Sequence, residues 1–371
     1  MRKLLFIFGT RPEAIKMAPI IHACLQYPQE LDVKVCLTGQ HREMLDQVLH
    51  FFGIKGDYDL SLMQPGQTLF DITSKGLSLL QPVMAESRPD LVLVQGDTTS
   101  AFVGALAAFY SKVAIAHVEA GLRSNDKYSP FPEEINRKLI GPLADIHFTP
   151  TSRATDNLVK EATRGKIFEV GNTVIDALLY GVDKVRKAGG QADSFPFLDP
   201  AKKLILVTGH RRESFGKPFE NICDALVDLV RAYPDVQIVY PVHLNPHIQE
   251  VVNARMKGVP SIHLIPPVEY PQLVWLLDKC YFVITDSGGI QEEAPALGKP
   301  VLVIRDVTER TEGIDAGTAI LVGTSREKIL THARQLLDEP AVYERMAKAV
   351  NPYGDGTTAK KITDILLNEA L

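Results

Sequence analysis

The sequence predicts an α/β fold made of two Rossmann-like domains whose parallel sheets face a central cleft. Short runs that are apolar throughout recur along the chain, and such runs are typical of strands buried on both faces of a parallel sheet. Longer amphipathic segments separate them, which indicates helical crossovers. The series of runs begins again after Gly189, so we predict two sheets rather than one.

Ten of these runs are predicted to be strands. They are residues 3–8, 32–38, 91–95, 113–118 and 146–149 in the first series, and 203–208, 236–241, 262–265, 282–285 and 301–304 in the second. We place the domain boundary near Gly171, which gives domains over residues 1–170 and 171–356. The stretch 188–200, which contains two Gly and two Pro, is an equally good candidate for the hinge.

Composition narrows the class of protein. The 371 residues suit two domains, and 45% hydrophobic with 23% charged residues is ordinary for a globular protein. A net charge of -5 without a basic run argues against a nucleic-acid partner. The apolar run ahead of Gly9 is too short for a signal peptide or a membrane span, so we expect a cytoplasmic protein without a membrane partner. Four cysteines without a C-x-x-C pair predict reduced thiols, and no metal site is expected.

Residues 281–312 carry the strongest signal for a ligand. The predicted strand 282–285 is followed by Asp-Ser-Gly-Gly at 286–289 and then by a predicted helix. Free backbone N–H groups at a helix start, with no Cβ at the two glycines, favour a bound phosphate. Glu293 lies one turn further along, where a carboxylate can accept hydrogen bonds from ribose hydroxyls, and Arg310 follows the next strand. A Gly-containing turn with a solvated Glu explains the spacing equally well.

Two common nucleotide motifs are missing from the chain. No G-x-G-x-x-G occurs, and Gly298-Lys299 lacks both the upstream Gly and the following Ser or Thr of a P-loop. NAD-dependent and ATP-hydrolysing functions are therefore disfavoured. A nucleotide held through its diphosphate at a helix start remains.

Charged residues follow the strands of the first predicted domain. Arg11 and Lys16 come after the first strand, Asp97 after the third and Glu119 after the fourth, with Glu133 beyond it. Because ligands bind at the carboxyl ends of parallel strands, the three acids are expected to collect there, which suits proton transfer. Capping of a helix by Asp97, with solvated charges elsewhere, is the alternative. Capping does not account for Glu119, which ends a strand.

The second domain begins in a similar way. Its first strand continues into TGHRRESFG at 208–216, where His210 stands beside two arginines. Such a group of side chains can bind a phosphate or a leaving group. A basic turn on the surface is the alternative.

At these residues the chain closely resembles the non-hydrolysing UDP-N-acetylglucosamine 2-epimerases of bacteria. The matching motifs run in order along nearly the whole chain and are highly specific in combination. They are GTRPEAIKMAP (9–19), QHREMLDQVL (40–49), GDTTS (96–100), HVEAGLR (117–123), PFPEEINR (130–137), GNTVIDAL (171–178), TGHRRESFG (208–216), PVHLNP (241–246), DSGGIQEEAP (286–295) and TERTE (308–312).

The resemblance implies a glycosyltransferase-B-like fold, a last helix over 357–371 that packs back on the first domain, and a homodimer. The implied activity is the reversible conversion of UDP-N-acetylglucosamine to UDP-N-acetylmannosamine, without NAD or another cofactor and without a required metal. Its implied route is anti elimination of UDP to 2-acetamidoglucal, followed by readdition. UDP-N-acetylglucosamine and UDP are therefore the expected partners, and the product is expected to supply cell-surface polysaccharide synthesis.

The resemblance also implies roles for individual residues. The positions that match the family's catalytic residues are Asp97, Glu119, Glu133 and His210. The positions that match its UDP-binding residues are Arg11, Lys16, Ser287, Gly288, Gly289, Glu293 and Arg310. Members of the family also bind a second UDP-N-acetylglucosamine as an activator, at positions that correspond here to Gln40, Gln67, Arg211 and His243.

Three other functions stay open from the sequence. A UDP-sugar glycosyltransferase of the same fold would require an acceptor. A hydrolysing epimerase would release UDP and free N-acetylmannosamine. A nucleotide-sugar sensor would have little use for three acids facing the sugar.

Overall fold

The computed structural model describes residues 1–39, 42–62, 64, 66–209, 211 and 216–369, apart from the side chains of residues 42–44. The chain divides into two compact units. One is formed by Met1–Ala177 together with the segment that begins at Tyr353, and the other by Leu178–Pro352. Both units are α/β, as the sequence predicts. The domain boundary at residue 171 stays a prediction.

The first unit contains a seven-stranded sheet. Its strands are β1 (Arg2–Phe8), β2 (Leu31–Leu37), β3 (Tyr58–Asp59), β4 (Leu91–Gln95), β5 (Ala114–Val118), β6 (Ile146–Thr149) and β7 (Lys166–Glu169). The helices that follow these strands are α1 (Arg11–Cys24), α2 (Arg42–Phe52), α3 (Leu69–Ser87), α4 (Thr99–Tyr110), α5 (Glu133–Ile140), α6 (Ser152–Lys160) and α7 (Thr173–Lys187). The strand order is β3-β2-β1-β4-β5-β6-β7, and every described ladder is parallel.

The second unit contains a six-stranded sheet. Its strands are β8 (Lys203–Thr208), β9 (Val236–Pro241), β10 (Ile262–Ile265), β11 (Phe282–Thr285), β12 (Val301–Val303) and β13 (Ala319–Leu321). The remaining helices are α8 (Lys217–Ala232), α9 (Pro246–Met256), α10 (Tyr270–Lys279), α11 (Gly288–Glu293), α12 (Thr311–Asp315), α13 (Arg326–Asp338), α14 (Pro340–Ala347) and α15 (Thr358–Asn368). The order is β10-β9-β8-β11-β12-β13, again with parallel ladders throughout the described strands.

In each sheet the strand order reverses once near the middle. The reversal lies between β1 and β4 in the first sheet and between β8 and β11 in the second. Crossover helices leave opposite faces of the sheet on the two sides of such a point, so the loops beyond the strand ends diverge and form a crevice. Each unit therefore has one position that the fold favours for a ligand.

Close packing fixes helix α4 against the strands at the first reversal. A Cβ at Gly104 would lie 3.1 Å from both Ile7 of β1 and Val94 of β4. Both of these strand residues are fully buried. A side chain at position 104 would crowd these two residues, so the glycine lets α4 lie close to the sheet, directly after the loop that carries Asp97.

Helix α15 completes the first unit. It contacts α1, and the sulfur of Cys24 lies 3.6 Å from the hydroxyl of Thr363. The guanidinium of Arg2 donates to the backbone carbonyls of Leu366 and Glu369 at the end of this helix. These donors satisfy carbonyls that a helix end leaves without an intrahelical partner.

All ten predicted strands are present, with ends that differ by one residue at most. Three strands are missing from the prediction: β3, β7 and β13. Each lies at an edge of its sheet and is partly exposed, so it lacks the continuous apolar run of a central strand.

Two further expectations bear on the fold. The helix predicted over 290–297 begins at Gly288 and becomes 3₁₀ at Ala294, because Pro295 has no N–H to continue the α-helical ladder. None of the described helices combines the length and the apolar character that crossing a membrane requires.

Candidate active site

Glu119 lies just beyond β5 and is 9% exposed. One of its carboxylate oxygens accepts hydrogen bonds from Lys16 Nζ at 2.5 Å and Asn172 Nδ2 at 3.0 Å. The other accepts from the side-chain amide of Gln95, the last residue of β4. Three donors, from α1, from β4 and from the loop before α7, thus fix the direction of this carboxylate.

The backbone of Glu119 is also unusual. Its φ is 61°, in the left-handed region, which costs a residue with a Cβ on the order of 1 kcal/mol. Two glycines close by, Gly96 and Gly121, have positive φ as well. A Cβ at Gly121 would collide with the backbone of Ala154. The turn after β5 is therefore held in a strained conformation that turns Glu119 toward Lys16.

Asp97 follows β4 and is paired with an arginine. Arg137 Nη2 on α5 donates to Asp97 Oδ2 at 2.5 Å, and the side-chain amide of Asn136 donates to the Asp97 carbonyl at 2.9 Å. Burial raises the pKa of Asp97, Arg137 acts in the opposite direction, and the net shift is upward.

Glu133 is the first residue of α5 and is half-buried. The charges of Glu119 and Glu133 both help to raise the pKa of Asp97. Asp97 and Glu119 follow the neighbouring strands β4 and β5. Arg137, one turn along α5 from Glu133, bonds Asp97. The structure thus places the three predicted acids at the carboxyl edge of the first sheet.

A buried histidine supports the turn that carries Asp97. His117 Nε2 lies 2.6 Å from the carbonyl oxygen of Gly96, and burial lowers the pKa of His117 to about 3. The ring is therefore neutral at ordinary pH. Its Nε2–H donates to that carbonyl, because an unprotonated nitrogen facing an oxygen at this distance would be repelled.

A buried glutamate joins the loops after β1 and β4. Glu13 Oε2 accepts from the backbone N–H groups of Gly9 at 3.0 Å and Thr10 at 2.7 Å. Its Oε1 accepts from the hydroxyl of Thr98 at 2.5 Å. Burial raises the pKa of Glu13, and its hydrogen bonds act against that shift. The link crosses the reversal in strand order and ties Asp97 to the loop where Arg11 begins α1.

In the second unit, an arginine lies beside the start of α11. A Cβ at Gly288 would be 3.0 Å from Arg310 Cζ. Arg310 is held by Glu292 at 3.0 Å and by Glu309 at 2.5 Å. Burial would raise the pKa of Glu309, but Arg310 and Arg305 lower it to about 2. A positive charge is thus fixed where the helix dipole is also positive.

The predicted ribose-binding glutamate occupies the same short helix. Glu293 is 6% exposed, and its Oε2 lies 3.7 Å from the position that a Cβ on Gly289 would take. Ser287 is the N-cap residue, and its backbone N–H donates to Thr285 Oγ1 at 2.9 Å. Its hydroxyl makes no capping hydrogen bond. The five residues predicted to bind UDP through this region therefore lie around one helix start.

The loops at the reversal of the second sheet are also linked. Asp286 Oδ2 accepts from the backbone N–H of Arg211 at 2.8 Å. The hydroxyls of Thr208 and Thr285 are 2.6 Å apart. Tyr240 donates its hydroxyl to the Gly209 carbonyl at 2.7 Å. His210, the predicted catalytic histidine, lies outside the described residues.

The predicted activator-binding residues are only partly described. Gln40 lies outside the described residues, and the side chain of Gln67 bonds to its own loop, through the Leu62 carbonyl at 2.6 Å and the Gln64 N–H at 2.8 Å. His243 is exposed, and its Nδ1 accepts from the Asn245 N–H at 3.1 Å. Gln67 belongs to the first unit, and His243 belongs with Arg211 to the second.

Four side chains at the site were not predicted from the sequence: Glu13, Gln95, Arg137 and Asn172. The spacing of Thr10 and Glu13 does signal a capping box, and the structure contains one. The bond from Thr98 to Glu13 joins residues 85 positions apart, and no local pattern reveals such a contact. Within the described chain, no group of three or more His, Cys, Asp or Glu side chains is arranged to hold a metal ion.

Known proteins of the same family match the chain along its length. A family model described as UDP-N-acetylglucosamine 2-epimerase matches residues 23–367. The UDP-N-acetylglucosamine 2-epimerase of Escherichia coli K12 is 53% identical over 374 residues, which cover 100% of this chain and 99% of that protein.

Solved structures give the same result. The UDP-GlcNAc 2-epimerase of Neisseria meningitidis, crystallised with UDP-GlcNAc, superimposes with a TM-score of 0.91 at 47% identity, covering 99% of this chain and 100% of that one. The Methanocaldococcus jannaschii enzyme, in complex with UDP-GlcNAc and UDP, has a TM-score of 0.80 at 33% identity and covers 99% of this chain and 100% of its own. The chain therefore belongs to the UDP-N-acetylglucosamine 2-epimerase family.

Proposed function

We propose that this protein interconverts UDP-N-acetylglucosamine and UDP-N-acetylmannosamine by inverting carbon 2 of the sugar. Membership of the family supports this activity over that of a UDP-sugar glycosyltransferase with the same fold. The observation that carries the proposal is the position of Asp97, Glu119 and Glu133 at one edge of the first sheet, with Lys16 bonded to Glu119. A group of carboxylates suits proton transfer at carbon 2, where no adjacent carbonyl makes the hydrogen acidic.

The proposed route is an elimination followed by an addition. A base removes the hydrogen on carbon 2, the C1–C2 double bond forms, and the C1–O bond breaks with its electron pair leaving on UDP. The intermediate is 2-acetamidoglucal. UDP then adds back to carbon 1 while an acid delivers a proton to the other face of carbon 2. No net oxidation occurs, so no redox cofactor is required.

Carboxylates held in different environments are suited to the two proton transfers. In a reversible epimerisation, the group that removes the proton in one direction returns it in the other. Glu119 is surrounded by donors that stabilise its charge, whereas burial raises the pKa of Asp97. We propose that these two acids and Glu133 carry the proton transfers, with His210 as a further catalytic residue.

We propose that the start of α11 binds the diphosphate of UDP. Backbone N–H groups in the first turn of a helix have no intrahelical partner, and the Arg310 guanidinium lies beside Gly288 in that turn. The hydroxyl of Ser287 is a further donor for a phosphate oxygen. Glu293 is proposed to accept hydrogen bonds from the ribose. Arg11 and Lys16 are proposed to add positive charge that favours departure of UDP.

Deuterium incorporation tests the reaction directly. The protein is incubated with UDP-N-acetylglucosamine in deuterated water, and carbon 2 of both epimers is followed by NMR. We expect deuterium at carbon 2 and formation of the manno epimer without added NAD. Starting from substrate with ¹⁸O in the sugar–phosphate bridge, we also expect the label to move to non-bridging positions, because the C1–O bond breaks and re-forms. A manno product without deuterium would contradict the elimination route, and release of free N-acetylmannosamine would identify a hydrolysing enzyme.

We further propose a homodimer formed through the first unit. Helices α4 and α5 pack together, and they leave large apolar side chains exposed at Phe109, Tyr110, Ile135 and Leu139. Large apolar side chains exposed on two adjacent helices are typical of a protein interface. Sedimentation analysis should give twice the chain mass of 40.9 kDa, and Tyr110→Glu should shift the species toward the monomer. A monomeric parent protein would exclude the proposal.

The cell compartment and the regulation of the enzyme complete the proposal. The four cysteines are buried and form no disulfide, which fits a reducing compartment such as the cytoplasm. The product is proposed to supply cell-surface polysaccharide synthesis. Activation by a second UDP-N-acetylglucosamine at Gln40, Gln67, Arg211 and His243 predicts sigmoidal initial rates, and His243→Ala should make the rates hyperbolic. Hyperbolic rates in the parent protein would rule out that activation.

A further inference from the structure

The Glu119 carboxylate accepts a hydrogen bond from Asn172, which lies outside the strands of the sheet. Asn172 lies between β7 and α7 and is 3% exposed. Its side-chain Nδ2 is 3.0 Å from Glu119 Oε1. Because the left-handed backbone at Glu119 breaks the strand, the strand no longer sets the direction of that side chain. Its direction depends on the donors that surround the carboxylate.

The orientation of the Asn172 amide is itself determined. Its Oδ1 accepts from the backbone N–H of Val174, in the first turn of α7, at 3.1 Å. The NH₂ end must therefore be the end that faces Glu119. Turning the amide over would put its oxygen against the carboxylate and its NH₂ against the Val174 N–H. Both contacts would then be repulsive.

The backbone at this point has little freedom to move. The N–H of Asn172 donates to the Tyr353 carbonyl at 2.7 Å. Gly171, immediately before it, has a φ of 100°, and a Cβ there would lie 2.6 Å from the Thr358 hydroxyl. A segment from the C-terminal part of the first unit thus holds the asparagine in place.

We propose that Asn172 is a positioning residue that aims Glu119 at the hydrogen on carbon 2. This inference rests on the proposed function, in which Glu119 takes part in proton transfer. One amide hydrogen bond fixes the carboxylate from the side opposite Gln95, which donates to its other oxygen. Proton transfer depends steeply on such alignment, since small displacements of a catalytic group reduce the rate strongly.

The substitution Asn172→Asp separates this role from a structural one. It retains the size of the side chain and an oxygen for the Val174 N–H. It replaces the donor that faces Glu119 with an oxygen, so that an attraction becomes a repulsion. We expect kcat to fall about 10- to 100-fold, which corresponds to the loss of one hydrogen bond to a charged group. We expect KM and the affinity for UDP to change less than about threefold, because the diphosphate and the ribose are proposed to bind around α11. Lys16, which shares Glu119 Oε1 with Asn172, keeps that carboxylate as a partner in the variant.

A matched control is the substitution Gln237→Glu. Gln237 is also 3% exposed, and its amide bonds only to backbone atoms of Asp199, at 2.7 and 3.0 Å, among the contacts described. The same chemical change there should lower the melting temperature and leave kcat within a factor of two of the parent. If Asn172→Asp does not fold, Asn172→Ser still provides an oxygen that can cap α7 and removes the donor to Glu119.

The parent protein tests the proposed function, and the comparison of the parent with the variants tests the positioning role of Asn172. A parent that forms no manno epimer and incorporates no deuterium would refute the proposed function. Crystal structures of parent and variant would still test the positioning role, because the proposal requires the Glu119 carboxylate to change direction in the variant. A folded Asn172→Asp or Asn172→Ser protein with parental kcat, or with Glu119 unmoved, would overturn the inference.

Discussion

The bond between Glu13 and Thr98 can be measured with two substitutions at position 98. Thr98 is the N-cap of α4, where its oxygen accepts from the Ala101 N–H at 3.0 Å, and its hydroxyl donates to Glu13 at 2.5 Å. Thr98→Val removes both bonds and retains the shape of the side chain. Loss of the cap costs about 1 kcal/mol. Loss of a hydrogen bond to a buried charged group costs a further 1.5–3 kcal/mol or so, giving a total of about 2.5–4 kcal/mol.

Thr98→Ser supplies the matched reference. It retains the oxygen that accepts from the Ala101 N–H and the hydroxyl that donates to Glu13. Its cost should therefore stay below about 1 kcal/mol. The difference between the two variants is expected to be about 2.5–4 kcal/mol, of which the cap accounts for about 1 kcal/mol.

Urea unfolding followed by far-UV circular dichroism is a suitable assay. The single tryptophan, Trp275, lies in the second unit, so its fluorescence does not report on the unit that contains Thr98. Thr98→Val should also reduce turnover under conditions where it is folded, because the loop that carries Asp97 loses its tie to the loop after β1. Equal costs for the two variants, with turnover unchanged in both, would refute the argument that Glu13 holds these loops together.

Three other predictions concern the acids and the phosphate site. Glu119→Gln should bind UDP-N-acetylglucosamine with parental affinity by calorimetry and lose turnover by about 10²–10⁴-fold, and retained turnover would show that the carboxylate is not a proton carrier. Arg310→Ala should weaken UDP binding about 10- to 100-fold. The control Arg305→Ala also removes an arginine bonded to Glu309, and it should leave UDP binding unchanged. Equal losses of affinity in the two variants would show that the effect comes from disturbing Glu309 and not from a lost contact with the diphosphate. Arg137→Gln removes the larger of the two cationic contributions, from Arg137 and Lys16, that lower the pKa of Asp97. That pKa should therefore rise further, and the acidic limb of the kcat/KM profile should move to higher pH, while Arg137→Lys should leave the limb near its parental position. An unmoved limb in Arg137→Gln would show that ionisation of Asp97 does not govern activity.

The fold was predictable where burial alone determines the sequence pattern. Central strands such as β4 are buried on both faces, so their residues are apolar throughout and the run is visible without an alignment. The edge strand β7 has two exposed residues among four, and its pattern does not differ from that of a loop. Edge strands are specified by the neighbour they pair with, and that neighbour is distant in sequence.

The site was predictable for residues that directly follow strands and less so for the groups that hold them. Asp97 and Glu119 were predictable because a charged residue directly after a buried strand indicates a function at the strand end. Asn172 precedes a helix, where an Asn is an ordinary cap, and its Oδ1 does accept from Val174. Its second role appears only when the fold brings the loop before α7 next to Glu119. The roles of the predicted residues in catalysis and binding stay predictions until the variants are measured.

In both units, a buried carboxylate accepts hydrogen bonds from the loops at the point where the strand order reverses. Loops that diverge to leave room for a ligand cannot satisfy their backbone N–H groups by pairing with each other. In the first unit, Glu13 accepts from the N–H groups of its own loop and from the hydroxyl of Thr98 in the neighbouring loop. In the second, Asp286 accepts from the N–H of Arg211 across the reversal.

A carboxylate suits this position because its two oxygens can accept several hydrogen bonds at once and leave the outer side of the loop open. The same charge that stabilises the loop is costly to bury, as the raised pKa of Glu13 indicates. That cost is offset only while every donor stays in place. Substitutions that remove one donor should therefore disturb both linked loops together, and the crevice where the ligand is proposed to bind is the region that such a change affects first.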